Sequence, residues 1–552
     1  MNGLMQQRQL LISDLIEHAA NNHGDQEIVS SLGDGTLHRY TWSAARGRAK
    51  QVANLIQSLG VAVGQRVATL AWNTHRHLEL YYGVSGTGAV LTTVNPRLFT
   101  EQIVYILNHS GSTHVFFDAS LAKLVAEIAP QCPNIKGFIA LCEANQMPDI
   151  AVPGLACYES LMDECSDVYA WPQLDENSAS SMCYTSGTTG KPKGVLYSHR
   201  STVLHAMATC MADSFAISAR DSILLVVPMF HVNGWGIPHS SAMAGARLVL
   251  PGSRLSGENV YSMLRDEQCT VSCGVPTVWL SLLEYAENVD PEQRRRDIVL
   301  TRVLSGGSAA PRRIIEKFEQ YFGVYLCQAW GMTETSPVVT VNVPLPRHSH
   351  LTLDERFDLQ MLAGRPLPGA EIAIFDHEGN RLPRDGHTTG QLKVRGSWIA
   401  RAYYNRDNRE DDAWDANDWF ATGDMATLNA DGYLKITDRA KDVIKSGGEW
   451  ISSLDLESAA LSHPSIEEAA VIGLRHSHWQ ERPLLIAVKR KGMDVTAEDV
   501  LEHMRIHVAK WWLPDDVVFV DSLPHTATGK LHKVPLRKQF ESFRFSTDVE
   551  NA

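Results

Sequence analysis

From residue 41 to about 250 the chain alternates short apolar runs with amphipathic stretches, and this alternation restricts the fold more than any other feature. Residues 51–60 place Val52, Leu55 and Ile56 at helical spacing, whereas 66–71, 138–142 and 222–227 are short apolar runs suited to buried strands. Buried strands separated by helices build layered α/β structure with at least partly parallel sheets. At 552 residues the chain is too long for one hydrophobic core, so at least two domains are expected. Beyond Gly364 the texture changes. Residues 370–375, 390–395 and 432–436 read as short strands punctuated by Gly, Pro and Asp-Gly turns. A polar, glycine-bearing stretch, 437–448, leads into a compact segment with helices at 454–461 and 497–508 and a strand at 468–474. The expected fold is α/β: a large N-terminal domain of layered sheets and helices plus a β-rich subdomain over 1–437, then a small α/β C-terminal domain over 438–552.

Composition excludes several classes. Hydrophobic residues make up 44% and charged residues 20%, ordinary for a soluble enzyme, and the net charge of −13 argues against a nucleic-acid-binding surface. Nine cysteines are scattered from Cys132 to Cys327 without a CxxC pair, which disfavours a disulfide framework or a zinc site and favours a reducing compartment. Residues 1–17 carry no long apolar run ending in a small-residue cleavage site, and no apolar stretch reaches the ~20 residues of a membrane span. A cytoplasmic protein without a transmembrane segment is expected.

The most informative stretch is Tyr184-Thr185-Ser186-Gly187-Thr188-Thr189-Gly190-Lys191-Pro192-Lys193-Gly194. Hydroxyls and glycines let side chains and backbone amides approach a polyphosphate, and Lys191 and Lys193 add positive charge. Only Thr188 and Thr189 separate Gly187 from Gly190, and Pro192 follows the lysine, so this is not a Walker A loop. A bare Ser/Gly surface loop is the plain alternative, disfavoured by the density of hydroxyl, Gly and Lys.

This stretch resembles the signature loop of the adenylate-forming superfamily, which includes acyl-CoA synthetases, peptide-synthetase adenylation domains and beetle luciferases. Matching motifs continue in order to Lys533 and are most similar to bacterial medium- and long-chain fatty acyl-CoA synthetases and 3-methylmercaptopropionate-CoA ligases. The resemblance implies ATP, Mg²⁺, coenzyme A and a carboxylic acid as ligands, a mobile C-terminal domain and, by analogy, a homodimer. It assigns ATP contacts to Thr185, Ser186, Gly187, Thr188, Thr189, Gly190 and Lys191, with Thr185 also on the metal.

The second motif, Pro228-Met229-Phe230-His231-Val232-Asn233-Gly234-Trp235, reads by itself as a core strand entering an aromatic turn. The resemblance places His231 beside the nucleotide and acyl carboxylate, as a catalytic residue. It puts Val232, Gly307 and Gly331 with His231 in the acyl pocket, and makes Trp235 the gate of an acyl tunnel. Residues 304–311 read as a strand end, a flexible turn and a helix start; similarity puts Gly307, Ser308 and Ala309 against the nucleotide. The fourth motif is Gln328-Ala329-Trp330-Gly331-Met332-Thr333-Glu334-Thr335. The resemblance gives Gln328, Ala329, Trp330, Gly331, Met332 and Thr333 to ATP binding, with Trp330 stacking on adenine where the family usually has Tyr. It gives Glu334 to both ATP and Mg²⁺, a cation that suits one carboxylate plus phosphate oxygens. Alone, Glu334 would read as an ordinary surface acid.

Further along, the resemblance assigns Asp424 to the ribose hydroxyls, Arg439 to ribose and phosphate, and Lys441 to a hinge. It gives Lys445, Gly447, Gly448, Glu449 and Trp450 to coenzyme A, and Lys530 to the acyl carboxylate and α-phosphate. Without it, 438–450 is a charged linker and Lys530 a solvated lysine. The expected function is therefore an AMP-forming acyl-CoA ligase, on medium-chain fatty acids first, on 3-methylmercaptopropionate second and on an aromatic acid last.

Overall fold

The computed structural model describes residues 1, 3–185, 191–405, 413–439, 441–446, 449–476, 479–525 and 531–545, with side chains except those of Glu449 and Trp450. By internal contacts the chain divides into two units, 1–371 with 395–420, and 372–394 with 421–552.

In the first unit, two large sheets share a core. One is nine-stranded, its parallel centre running through Leu326–Gly331, Arg302–Ser305, Val271–Gly274, Ser222–Leu225, Arg247–Leu250 and Glu27–Ser31, with antiparallel strands at both edges. The other is seven-stranded and parallel except for its last pair, Ala179–Tyr184 against Gly194–Ser198. Successive strand side chains point to opposite faces. Accordingly Phe116 and Ile139 enter the core shared with Ile223, Leu225 and Leu248, whereas Val115, Phe117 and Phe138 fill a separate core behind the seven-stranded sheet. Leu224, Val226 and Val249 do the same behind the nine-stranded sheet. The helices Ile12–Asn22, Trp42–Ser58 and His75–Gly86 contribute to the shared core, and the last is buried along its whole length. Strands with both faces covered read as uniformly apolar, which is why the runs at 66–71, 138–142 and 222–227 were legible.

Ala370–Phe375, Gly390–Gly396, Phe420–Leu428 and Leu434–Arg439 form a four-stranded sheet, the expected β-rich element, most of whose residues belong to the second unit. A second sheet runs Glu449–Ile451, Ile444–Ser446, Gln480–Lys489, Ile466–His476, with Asp516–Phe519 parallel to Gln480–Lys489. The helix Ser453–Leu461 packs on one face and Lys533–Gln539 on the other. Two expectations are corrected here. The stretch 438–450, a charged linker when read alone, contains strand as well as turn, with Ile444 and Ser446 buried while Lys445 faces out. The helix begun at Ala497 ends at Met504; His507 and Val508 then donate to the Met504 carbonyl in a closing turn.

Candidate active site

Two antiparallel strands, Ala179–Tyr184 and Gly194–Ser198, flank the hydroxyl-rich loop. Tyr184 pairs with Gly194 at their ends, and the next residues lock the base. The Thr185 N–H donates to the Lys193 carbonyl at 2.9 Å, and the Lys193 N–H donates to Thr185 Oγ1 at 3.1 Å. Ser186, Gly187, Thr188, Thr189 and Gly190 lie outside the described residues. Both flanking lysines rest on aromatic rings: Lys191 Nζ is 5.3 Å from the Tyr105 ring centre, and Lys193 Nζ is 4.3 Å from that of Tyr403. Such contacts hold an ammonium without neutralising it.

Tyr403 carries the assembly further. Its hydroxyl donates to Glu334 Oε1 at 2.6 Å. The carboxylate is only 4% exposed, in a residue whose isolated reading was a surface acid. The neighbouring backbone repeats the tie, since Ala400 N–H donates to the Glu334 carbonyl and Tyr404 N–H to the Gly194 carbonyl, both at 2.8 Å. The Tyr197 hydroxyl donates to the Thr333 carbonyl at 2.7 Å, fixing the residue before Glu334. A buried carboxylate and the Thr185 hydroxyl are oxygen donors of the kind a hard divalent cation takes, so the donor set fits Mg²⁺ with phosphate oxygens completing it. Among the described residues no group of three His, Cys, Asp or Glu could hold a metal by itself.

After His231 the backbone turns left-handed for five residues, with φ of 46° at Val232, 53° at Asn233, 57° at Gly234, 55° at Trp235 and 75° at Gly236. Each non-glycine residue in that conformation costs about 1–2 kcal/mol, so neighbouring contacts must hold it. They are present. Asn233 Nδ2 donates to Ser181 Oγ at 3.0 Å, and Val232 packs with Cys183, Val195, Tyr197 and Tyr403. The turn delivers the buried Trp235 indole onto Gly306 and Gly307. A Cβ at Gly306 would lie 2.9 Å from Trp235 Cη2, and Gly307 has φ of +79°. The turn 306–311, with Ser308 and Ala309, is held by Gln328. Its Oε1 accepts from Ala310 N–H at 2.9 Å and its Nε2 donates to the Gln360 carbonyl at 3.0 Å. The strand carrying Ala329 and Trp330 is bulged between Trp330 and Gly331. A Cβ on Gly331 would sit 1.9 Å from the Pro337 carbonyl oxygen, so only glycine fits there. Met332 N–H donates to Thr335 Oγ1 at 2.9 Å, closing the short turn that presents Thr333 and Glu334.

In the second unit Asp424 and Arg439 are direct cross-strand partners, and Arg439 Nε lies 2.9 Å from Asp424 Oδ1. Asp424 is 3% exposed and also takes support from its own backbone, where its N–H donates to Thr422 Oγ1. The Arg439 carbonyl then accepts from the N–H groups of Asp442 and Val443, forming the turn that contains Lys441. Burial, with Arg439 and Arg537 nearby, pulls the Lys441 amine below its ordinary value despite the attraction of Asp442. Lys445 is exposed, and its N–H donates to Glu481 Oε2. The backbones of Glu449 and Trp450 pair with Ser446 and Lys445; Gly447, Gly448 and Lys530 lie outside the described residues. The reading of single residues missed Tyr403, Tyr197 and a buried group in which Lys533 Nζ reaches both Ser453 Oγ and Glu457 Oε1 at 2.6 Å.

A family model described as AMP-binding enzyme matches residues 16–404, and that of its C-terminal domain matches 455–530. The chain belongs to the AMP-binding enzyme family. Within this family, a medium-chain-fatty-acid–CoA ligase of Ectopseudomonas oleovorans is 48% identical over 541 residues, covering 98% of both chains. A 3-methylmercaptopropionyl-CoA ligase of Ruegeria lacuscaerulensis is 47% identical, covering 98% of this chain and 99% of that one. Among solved structures, the anthranilate CoA ligase AuaEII in complex with anthranoyl-AMP superposes with a TM-score of 0.84 at 22% identity, covering 98% of this chain and 99% of that one. That likeness concerns the fold. The matched spans include the motifs from Tyr184 to Thr335 and Lys530.

Proposed function

We propose that this protein is an ATP-dependent acid–thiol ligase that converts a carboxylic acid to an acyl-adenylate and then to an acyl-CoA. The observation that carries the reading is the Tyr403 side chain, which joins the base of the hydroxyl-rich loop at Lys193 to the buried Glu334 carboxylate. A polyphosphate loop and an acid suited to a divalent cation are what adenylation requires together.

In the first half-reaction a carboxylate oxygen attacks the α-phosphorus of ATP and pyrophosphate leaves. Thr185 and Glu334 would hold Mg²⁺, which when bound offsets phosphate charge. Lys191 and the loop residues Ser186–Gly190 bind phosphates; Trp330 stacks on adenine beside the turn of Gly307, Ser308 and Ala309; Asp424 accepts the ribose hydroxyls with Arg439 alongside. His231 and Lys530 position the carboxylate. In the second half-reaction the CoA thiol attacks the acyl carbonyl carbon, its proton is released and AMP leaves. Rotation about Lys441, with the division at 437/438, would withdraw Lys530 and bring Lys445, Gly447, Gly448, Glu449 and Trp450 towards the pantetheine arm.

The acid is read as a medium-chain fatty acid, because the gate residue Trp235 and the segment through Trp450 resemble fatty acyl-CoA synthetases. 3-Methylmercaptopropionate is the second reading, favoured by the relative at 47% identity. ATP–pyrophosphate exchange across acids from butyrate to palmitate, with 3-methylmercaptopropionate and benzoate included and CoA consumption followed, tests both. Exchange peaking at octanoate supports the first reading; a maximum at the thioether acid replaces it with the second. Exchange with none of the acids would reject ligase chemistry. Trp235→Ala should change the ratio of kcat/KM between short and long acids about tenfold. An unaltered chain-length profile would remove Trp235 from the acyl tunnel. No helix among the described residues is long and apolar enough to cross a membrane. A cytoplasmic homodimer completes the proposal.

A further inference from the structure

Glu334 and the base of the phosphate loop lie far apart in sequence, yet the five residues 400–404 tie them together. Ala400 N–H bonds to the Glu334 carbonyl, the Tyr403 hydroxyl to Glu334 Oε1, and Tyr404 N–H to the Gly194 carbonyl. The Tyr403 ring lies under Lys193, whose N–H and carbonyl are the two partners of Thr185. The ring is fixed from behind: Trp414 packs edge-on at 5.2 Å, and its Nε1 donates to the Ala400 carbonyl at 2.6 Å. Tyr403 is 8% exposed and belongs to the same apolar cluster as Val232 of the left-handed turn. A phenol packed between Trp414 and Lys193, its hydroxyl bonded to Oε1, restrains that oxygen of the buried carboxylate.

We infer that Tyr403 is the positioning residue for the divalent cation: it orients Glu334 towards the metal and keeps Thr185 in register through Lys193. The inference rests on the ligase reading, which supplies the metal, and adds a residue that does not itself touch substrate. Hydrogen-bond partners behind metal-binding carboxylates tune affinity by about 10- to 100-fold. The spacing of Lys193 and Glu334, which carry opposite charges, bears on both the metal and the phosphates, and the Tyr403 side chain touches both residues. Tyr403 fixes it before either arrives.

The test is a titration of Mn²⁺ followed by electron paramagnetic resonance, with ATP present, on the full chain and on Tyr403→Phe. The phenylalanine keeps the ring that supports Lys193 and removes the hydroxyl that bonds to Glu334. The variant is expected to bind Mn²⁺ about tenfold more weakly in the presence of ATP, with metal-free ATP affinity changed less than about twofold. Its exchange activity should return towards wild type at high Mg²⁺, and thioester formation from supplied acyl-adenylate should be retained. Unchanged Mn²⁺ affinity would overturn the role of Tyr403 while leaving the ligase reading intact. Equal loss of metal binding, metal-free ATP binding and thioester formation would also overturn it, because a residue needed only for folding behaves so. Wild-type protein that takes up no Mn²⁺ with ATP would remove both.

Discussion

Lys530→Ala is expected to lower acid-dependent ATP–pyrophosphate exchange by about a thousandfold while leaving thioester formation from supplied acyl-adenylate within a few-fold of wild type. The asymmetry follows from the charges. In adenylation an anionic oxygen approaches an anionic phosphate, and one ammonium near both lowers the barrier by several kcal/mol in a water-poor site. In thioester formation the adenylate is already made, and an amine at the same carbon would stand where the thiol must enter. Purified acyl-adenylate, CoA and quenched-flow analysis separate the two steps. Equal loss in both would withdraw Lys530 from its assigned role. Lys441→Pro is the converse variant, expected to retain exchange and to lose thioester formation, because proline freezes the φ about which the hinge would turn.

Mild acid is expected to unfold the protein well above the carboxylate range. Burial pushes His77 and His199 down to about 4, and His205 and His239 down to about 3. All four are buried, and burial favours their neutral form. His205 Nε2 accepts from Val338 N–H, and His199 Nδ1 accepts from Ile12 N–H, bonds that protonation would remove. A group whose folded value is depressed binds its proton preferentially in the unfolded chain, so its contribution is present above about 6.5 and is lost as pH falls towards the folded value. Each histidine removes about 1.4 kcal/mol per pH unit in that window, so four remove on the order of 5 kcal/mol by pH 5.5, comparable to a whole domain's stability. Buried Glu79 and Glu457, both raised by burial, act in the opposite sense: they lose stability as pH rises through the region above 4.5. Urea midpoints at pH 7.5 and 5.5 measure the net slope, and a His199→Gln/His239→Gln double variant isolates the histidine share. A slope unaltered in that variant would show that these residues do not set acid stability.

Much of this architecture was readable in the chain. Strands covered on both faces leave uniform apolar runs, and the hydroxyl-rich loop stands out by its composition because the role proposed for it acts through local backbone. Glu334 shows the opposite case. Its acidity is in the sequence, but the partner of its buried carboxylate is Tyr403, 69 residues later, and no local pattern encodes that bond. Taken alone, 438–450 reads as a charged linker because a strand of three residues alternates only once before it ends. The left-handed turn was equally hidden. Only two of its five residues are glycine, and Asn233 is held there by Ser181, a partner on another strand.

That turn sets robustness against selectivity. Val232, Asn233 and Trp235 hold mirror-handed backbone at a cost of a few kcal/mol in total, and Trp235 reaches Gly306 only while they do so. A laboratory search for heat-resistant variants that ignores substrate would therefore be drawn to glycine at 232 or 233. It would recover tougher enzymes in which, on the role proposed for Trp235, a looser turn no longer measures the acid.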